Sequence, residues 1–102
     1  MTRVNNIFSN LKIPEKGEFF EELISLGNIS IEKIVSSEKL EAKIYNQDHD
    51  EWILLLEGSA KLELSGKVHD LSKGDFMLIE KERPHRVVKT TKGTIWLAIH
   101  IH

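Results

Sequence analysis

The residues with the clearest chemical potential lie close together, within positions 45–51. Four polar side chains occupy alternate positions there: Tyr45, Gln47, His49 and Glu51. On a continuous strand alternate side chains point to one face, so these four would form a single polar row. Such a row suits the lining of a polar cavity better than an apolar core. The tripeptide Asp48-His49-Asp50 could instead form a turn or bulge, which would take His49 out of the row.

A second candidate group is His85, which follows Pro84 and precedes two valines. Imidazole and carboxylate groups from separate strands are a usual ligand set for zinc, iron, manganese, nickel or copper. His85 and Glu51 therefore make a candidate metal pair, although spacing alone does not bring them together. Without a metal they could form a polar pair inside the protein, because a buried charge requires a partner. His100 could face the same cavity or lie at its mouth.

Short strands are predicted to position these residues. From Ile29 onward apolar and polar residues alternate with a period of two, and turn residues interrupt the pattern at short intervals. This alternation is typical of strands with one buried face. The predicted strands cover 29–36, 40–47, 51–56, 60–64, 67–71, 76–79, 86–89 and 94–101. Many short strands without intervening helices indicate an all-β sandwich or barrel.

The residues ahead of these strands, 1–28, read as a lead-in to the barrel. Acidic residues stand early in 17–24, apolar residues follow at helical spacing, and Gly27 suits a C-terminal stop. The pattern predicts one short helix. Because 102 residues leave little room for a second domain, we expect a single domain over 1–102, with the barrel over 29–102.

The composition argues against several functional classes. The net charge is -2 and no Lys/Arg-rich run is present, so the electrostatic footprint of a nucleic-acid-binding protein is missing. The absence of cysteine excludes disulfides, thiolate ligands and cysteine nucleophiles. The first residues are too polar for a signal peptide, and apolar runs such as 52–56 are far too short to span a membrane. These features predict a cytoplasmic protein without nucleic-acid or membrane partners.

Two stretches of the sequence resemble the motifs of the cupin family. The first cupin motif, G-x5-H-x-H-x3–4-E-x6-G, matches in its E-x6-G portion from Glu51 to Gly58. The second, G-x5-P-x-G-x2-H-x3-N, matches at Gly74 and His85. The resemblance extends from about residue 29 to the end of the chain. It implies a cupin double-stranded β-helix, which is a jelly-roll barrel, with Glu51 and His85 as unaltered metal ligands.

The sequence also departs from both motifs. Tyr45 and Gln47 stand where the first motif has its two histidines, and the segment 45–52 is similar to a cupin subgroup with a YxQ…DEW signature. The second motif differs at the positions held by Glu80, Glu82 and Lys89. The remaining metal ligands therefore stay open. Gln47 could coordinate through its amide oxygen, or His49 could do so if the strand bulges, which would restore a two-histidine, one-carboxylate set.

Two functions follow from this interpretation. In the first, the chain is a small metal-binding cupin that could act as a metal-dependent enzyme on a small polar or carboxylate-bearing molecule. Its divalent metal would act as a Lewis acid or bind dioxygen. In the second, it is a non-catalytic module that binds a small ligand without metal. Small size and strands with apolar residues on both faces predict a homodimer, the state that cupin barrels usually adopt.

Overall fold

The computed structural model describes residues 3–41 and 43–102, and the regular elements in these ranges are all β-strands. No helix in the described ranges is long and apolar enough to cross a membrane. The all-β prediction is confirmed. The eight strands are β1 (Glu18–Leu26), β2 (Ile29–Ser36), β3 (Asp50–Glu57), β4 (Ser59–Leu64), β5 (Lys67–Ser72), β6 (Phe76–Ile79), β7 (His85–Thr90) and β8 (Thr94–Ile101).

The strands form two antiparallel sheets. The larger sheet has five strands in the order β1-β2-β8-β3-β6, and the smaller has three in the order β5-β4-β7. The last strand of the chain, β8, therefore lies in the middle of the larger sheet between β2 and β3. The result is the jelly-roll architecture that the sequence predicts.

The core lies between the inner faces of the two sheets. In β3, for example, Glu51, Ile53 and Leu55 are buried while the residues between them are only half-buried, as expected when alternate side chains face inward. Leu55 of the larger sheet and Leu62 of the smaller are almost completely inaccessible to solvent. Burying a leucine side chain contributes about 1.5–3 kcal/mol, so these contacts are a main source of stability. The buried apolar cluster comprises Ile34, Ile53, Leu55, Ala60, Leu62, Leu64, Leu71, Ile79, Trp96 and Ala98.

The prediction of a short helix within 17–24 is wrong, because this segment forms most of β1. Leu26 pairs with Ile29, so Gly27 and Asn28 alone make the hairpin turn. Gly27 has φ 59°, the positive value that two-residue hairpin turns favour at their first position. The register shifts by one residue between Glu22 and Ile24. This β-bulge changes which residues share a face. The apolar residues of β1 therefore do not alternate regularly, and their spacing resembles that of a helix.

The predicted strand over 40–47 is also wrong for the residues that the structure describes in that range. Only Tyr45 pairs there, in an isolated antiparallel bridge to His85. Both backbone hydrogen bonds of the bridge form: the N–H of Tyr45 donates to the carbonyl of His85 at 2.8 Å, and the N–H of His85 donates back at 2.9 Å. The described part of this segment is therefore a loop, and Tyr45 links it to the start of β7.

Candidate functional site

Glu51 is held at the inner face of the larger sheet. It lies on β3 between Ile79 of β6 and His100 of β8, and only 6% of its surface is exposed. The strand alternation that buries Ile53 and Leu55 also turns Glu51 inward. The sheet therefore places a carboxylate inside the protein, where it requires a partner.

His85 approaches Glu51 from the opposite sheet. It is the first residue of β7, it pairs with Leu64 of β4, and 7% of its surface is exposed. The Nε2 atom of His85 lies 3.9 Å from Oε1 of Glu51. The two candidate residues, 34 positions apart in sequence, thus meet across the interior. The distance is too long for a hydrogen bond, so the two groups are close without being directly bonded.

The hydrogen bond that Nδ1 of His85 makes determines whether Nε2, the nitrogen nearer Glu51, carries a proton or a lone pair. Nδ1 lies 3.0 Å from the carbonyl oxygen of Arg83, and a carbonyl can only accept a hydrogen bond. Nδ1 therefore carries the proton, and in the neutral ring Nε2 keeps its lone pair. A lone pair and a carboxylate then face each other, an arrangement that a proton or a metal cation between or beside them would stabilise.

Gln47 brings a third acceptor to the same interior. Its carbonyl oxygen accepts a hydrogen bond from the backbone N–H of Glu82 at 2.7 Å, which fixes the loop at this point. Its side-chain Oε1 is buried and has no hydrogen-bond partner. A buried acceptor without a donor is unfavourable by about 1–3 kcal/mol unless something binds to it. Gln47 and His85 both line one small cavity.

His49 does not join this group. The chain bends at Asp48 and His49 before β3 begins at Asp50, so the alternation of the polar row is broken. Nε2 of His49 lies 2.9 Å from Nδ1 of His100, and its ring also contacts that of His102 at a centroid distance of 4.2 Å. His49 therefore belongs to a histidine cluster beside the cavity rather than to its lining.

His100 links that cluster to the interior. Its Nε2 lies 3.2 Å from Oε1 of Glu32, and the hydrogen bond to Glu32 raises the pKa of His100 above its usual value. Burial acts in the opposite direction, and the charge of Glu51 adds to the increase. His100 thus lies on the inner side of the sheet next to Glu51, but it is not among the residues that line the cavity.

The cavity itself is small and mostly apolar. Its volume is about 60 Å³, room for about two water molecules at the density of liquid water. Tyr45 stacks on His85 with a centroid distance of 5.9 Å and closes one side. A second hollow of about 230 Å³ shares Glu18, Tyr45 and Val87 with the cavity and is flanked by Lys16 and Lys43. The cavity is lined by Glu18, Ile34, Tyr45, Gln47, Ile53, Leu62, Ile79, His85, Val87 and Trp96.

Glu18 is a cavity residue that the sequence analysis missed. Its Oε2 accepts a hydrogen bond from the Ser36 hydroxyl at 2.6 Å, and the Ser36 oxygen in turn accepts one from Nε1 of Trp96 at 3.0 Å. Burial raises the pKa of the Glu18 carboxyl above its ordinary 4.5, and the hydrogen bond from Ser36 opposes this increase. Glu18 would have been recognised if 17–24 had been interpreted as a strand paired with β2, because that pairing places Glu18 opposite Ser36.

The residues present supply only part of the ligand set that a divalent metal requires. In the described ranges, no group of three or more His, Cys, Asp or Glu side chains is arranged to hold a metal ion. Glu51 and His85 supply one carboxylate and one imidazole, and the free Oε1 of Gln47 supplies a neutral oxygen. Imidazole and carboxylate are strong donors for first-row metals, whereas an amide oxygen is a weak one.

Comparison with known proteins agrees with this fold. Residues 34–100 match the family model described as a cupin domain. This chain is a member of the cupin family. No curated protein sequence matches the chain.

Several solved structures are similar to the chain over nearly its whole length. A candidate mannose-6-phosphate isomerase from Ralstonia eutropha JMP134 has a TM-score of 0.89 and 27% identity, with 98% of each chain covered. An RmlC-like cupin protein from Desulfovibrio desulfuricans has a TM-score of 0.81 and 16% identity, covering 98% of this chain and 97% of the other. Salicylate 1,2-dioxygenase from Pseudoaminobacter salicylatoxidans has a TM-score of 0.76 and 14% identity, covering 83% of this chain and 25% of that one. The last two comparisons show the fold alone.

Proposed function

We propose that this protein is a metal-binding cupin whose metal is held by Glu51 and His85, with the amide oxygen of Gln47 as a weaker third donor. The observation that carries the proposal is the pairing of a buried carboxylate with the Nε2 lone pair of His85 at 3.9 Å. Two acceptors that face each other in a buried site favour a cation, and Gln47 adds a third acceptor without a donor. A bound divalent metal would supply Lewis-acid chemistry to a small polar or carboxylate-bearing molecule.

The protein's own groups define how such a molecule would be held. The cavity accommodates about two water-sized groups, so only the reacting end of a ligand fits beside His85. The rest would lie in the adjoining hollow, where Lys16 and Lys43 offer positive charge. A hexose phosphate is much larger than the cavity, so the substrate named for the Ralstonia structure would have to remain mainly in that outer hollow.

Metal content tests this proposal. We expect protein purified without a histidine tag or chelator to retain near-stoichiometric zinc, iron, manganese, nickel or copper by elemental mass spectrometry. Glu51→Ala and His85→Ala should each abolish retention, because each removes one of the two strong donors. His69→Ala serves as the matched control, since it removes a histidine from β5 in the smaller sheet and should leave the metal content unchanged. Circular dichroism shows whether each variant keeps the fold.

Full metal content in both site variants would show that the proposed site is wrong. Gln47→Ala should still bind metal, but with lower affinity, since a neutral amide oxygen contributes less than a charged donor. Titration of the metal-free protein with Zn²⁺ gives the affinities for this comparison.

The small number of strong metal donors supports a second function, that of a non-catalytic module that binds a small ligand without metal. Only two strong donors meet at the site, and most of the cavity lining is apolar. In this case Glu51 and His85 would act as hydrogen-bonding groups for the ligand. Protein that binds no added metal, and that binds small carboxylates equally well before and after chelation, would support the module over the metal-binding protein.

A further inference from the structure

Three histidine rings lie together where β3 begins and β8 ends. His49 directly precedes β3, His100 lies near the end of β8, and His102 follows that strand. Nε2 of His49 is 2.9 Å from Nδ1 of His100, and the ring of His102 contacts that of His49 at a centroid distance of 4.2 Å. None of the three lines the cavity beside His85. They are therefore a second group of metal-ligating side chains, outside the cavity.

A carboxylate lies on the far side of each of the two rings that face each other. Nε2 of His100 is 3.2 Å from Oε1 of Glu32, and Nδ1 of His49 is 3.3 Å from Oδ1 of Asp48. An ionised carboxylate only accepts hydrogen bonds, so each contact is satisfied when the ring nitrogen next to it carries the proton. In two neutral rings the remaining nitrogens, Nε2 of His49 and Nδ1 of His100, then both carry lone pairs that face each other.

This arrangement of lone pairs requires a cation. Two neutral rings supply two protons for three contacts, so the third contact needs a further proton or a metal ion. Histidines that bind metals almost always donate their other N–H to a carboxylate, a carbonyl or water, which fixes the tautomer and orients the ring. His49 and His100 both have such a carboxylate. Glu51, which lies opposite His100 in the strand register, adds negative charge that favours a cation.

The spacing of the two nitrogens favours copper. With metal–nitrogen bonds of about 2.0–2.1 Å, a separation of 2.9 Å corresponds to an angle of about 90° at the metal. Neighbouring ligands make this angle in the square or tetragonal geometry of Cu²⁺ and Ni²⁺, whereas tetrahedral Zn²⁺ needs a wider angle. Of the divalent first-row metals, Cu²⁺ binds most tightly to a given set of nitrogen donors.

We propose that His49 and His100 form a copper site outside the cavity, in which Nε2 of His49 and Nδ1 of His100 bind Cu²⁺. In the described ranges no third His, Cys, Asp or Glu side chain completes this pair as it stands. His102 is exposed, so rotation of its side chain can bring a third imidazole to the ion, and water fills the other positions.

The copper site is open to solvent, unlike the interior pair of Glu51 and His85. The side chains of His49 and His100 are 16% and 15% exposed. Metal bound there should exchange during purification, so it should not add to the metal content that tests the interior site. The proposal holds whether or not Glu51 and His85 bind a metal.

Titration of the metal-free full chain with Cu²⁺, followed by electron paramagnetic resonance, tests the proposal. We expect a Cu²⁺ centre with at least two bound nitrogens, because the copper site supplies two imidazoles while the interior site supplies only that of His85. The number of bound nitrogens therefore distinguishes the two sites. His49→Ala and His100→Ala should each remove one bound nitrogen and weaken Cu²⁺ binding by about 100-fold or more, since loss of an orienting carboxylate alone costs about 10–100-fold.

His69→Ala is the matched control, because it removes a histidine from β5 in the smaller sheet and should bind Cu²⁺ like the wild type. Glu32→Ala should weaken binding by about 10–100-fold without changing the number of bound nitrogens. Glu32→Gln keeps an acceptor for Nε2 of His100 and should lose less. Circular dichroism shows whether each variant keeps the fold. A wild-type protein that forms no centre with two nitrogens would overturn the proposal, since the pair would then hold only a proton. Unchanged Cu²⁺ binding in both His49→Ala and His100→Ala would also overturn it.

Discussion

Single side chains decide how the interior of this barrel responds to pH. Glu18 faces the cavity from β1, and burial raises its pKa above 4.5 despite the hydrogen bond from Ser36. The folded state therefore binds the Glu18 proton more tightly than the unfolded chain does. By linkage, this residue makes the protein less stable as pH rises from the unfolded pKa through the higher folded one.

Glu18→Gln should remove this effect. At neutral pH the metal-free variant should have a higher free energy of unfolding than the wild type, because the amide is not desolvated as a charge but can still accept the bond from Ser36. The difference should vanish as pH falls below 4.5, where the wild-type carboxyl is protonated in both states. Urea unfolding as a function of pH measures this difference in the free energy of unfolding. Glu15→Gln, at an exposed position on the same segment, is the control and should show no such pattern.

The backbone conformation of Glu82 is unfavourable for a residue with a side chain. Glu82 has φ 61°, a left-handed conformation that costs a residue with a side chain about 1–2 kcal/mol. Glu82→Gly should therefore stabilise the fold by about 0.5–1 kcal/mol in urea unfolding, after the greater flexibility of glycine in the unfolded chain is included. Glu80→Gly, at a position with negative φ in the same loop, should destabilise it. Equal effects of the two substitutions would contradict this interpretation.

These residues also show what the sequence could reveal about the site. Carboxylate and imidazole are recognisable ligand types, so Glu51 and His85 could be nominated from residue identity and motif spacing. For His49 the sequence left two positions open, and the bend at Asp48 and His49 breaks the strand alternation and takes His49 out of the row. Glu18 contributes through a tertiary hydrogen-bond chain to Ser36 and Trp96, which leaves no local pattern in the sequence.

Among the strand connections, the turn from β3 to β4 is the most constrained. Gly58 has φ 89°, and a Cβ atom added there would lie 2.4 Å from the hydroxyl oxygen of Thr94, a fully buried residue. Gly58→Ala should destabilise the protein by about 2–4 kcal/mol, from backbone strain together with the steric clash. Thermal or urea unfolding checks this value.

Gly66 provides the matched comparison for that turn. It has a similar φ of 85°, but a Cβ added there would meet nothing within 4 Å. Gly66→Ala should therefore cost only the backbone component, about 1–2 kcal/mol. If the two alanine variants lose the same stability, the contact with Thr94 is not a significant constraint.

The elements themselves were predictable wherever one strand face is buried, since burial imposes a period of two. The predicted ranges 29–36, 76–79 and 94–101 coincide with β2, β6 and β8. The prediction failed for β1, most of whose residues are exposed, because solvent exposure relaxes the pattern and the bulge between Glu22 and Ile24 shifts it. It also failed for 40–47, where Tyr45 forms a single bridge.

For the molecule as a whole, the homodimer that the sequence predicts would make thermal stability depend on protein concentration. Unfolding of a dimer releases two chains, so mass action favours the folded state at higher concentration. The Tm of the wild type should rise by about 3 °C for each tenfold increase in concentration, given typical unfolding entropies for two chains of this length. A wild-type Tm that is constant between roughly 1 and 100 μM would argue against a dimer that is coupled to folding.

The central position of β8 has a consequence for how this sequence can evolve. Trp96, Ala98 and His100 point to the inner side of the larger sheet, whereas Leu97 and Ile99 point to its outer side. Neutral drift in this strand is therefore most restricted at Trp96 and Ala98, which are packed in the core. Functional divergence among descendants of this chain should instead accumulate in 37–41 and 43–49, described residues that contribute no strand to either sheet and contact the cavity through Tyr45 and Gln47.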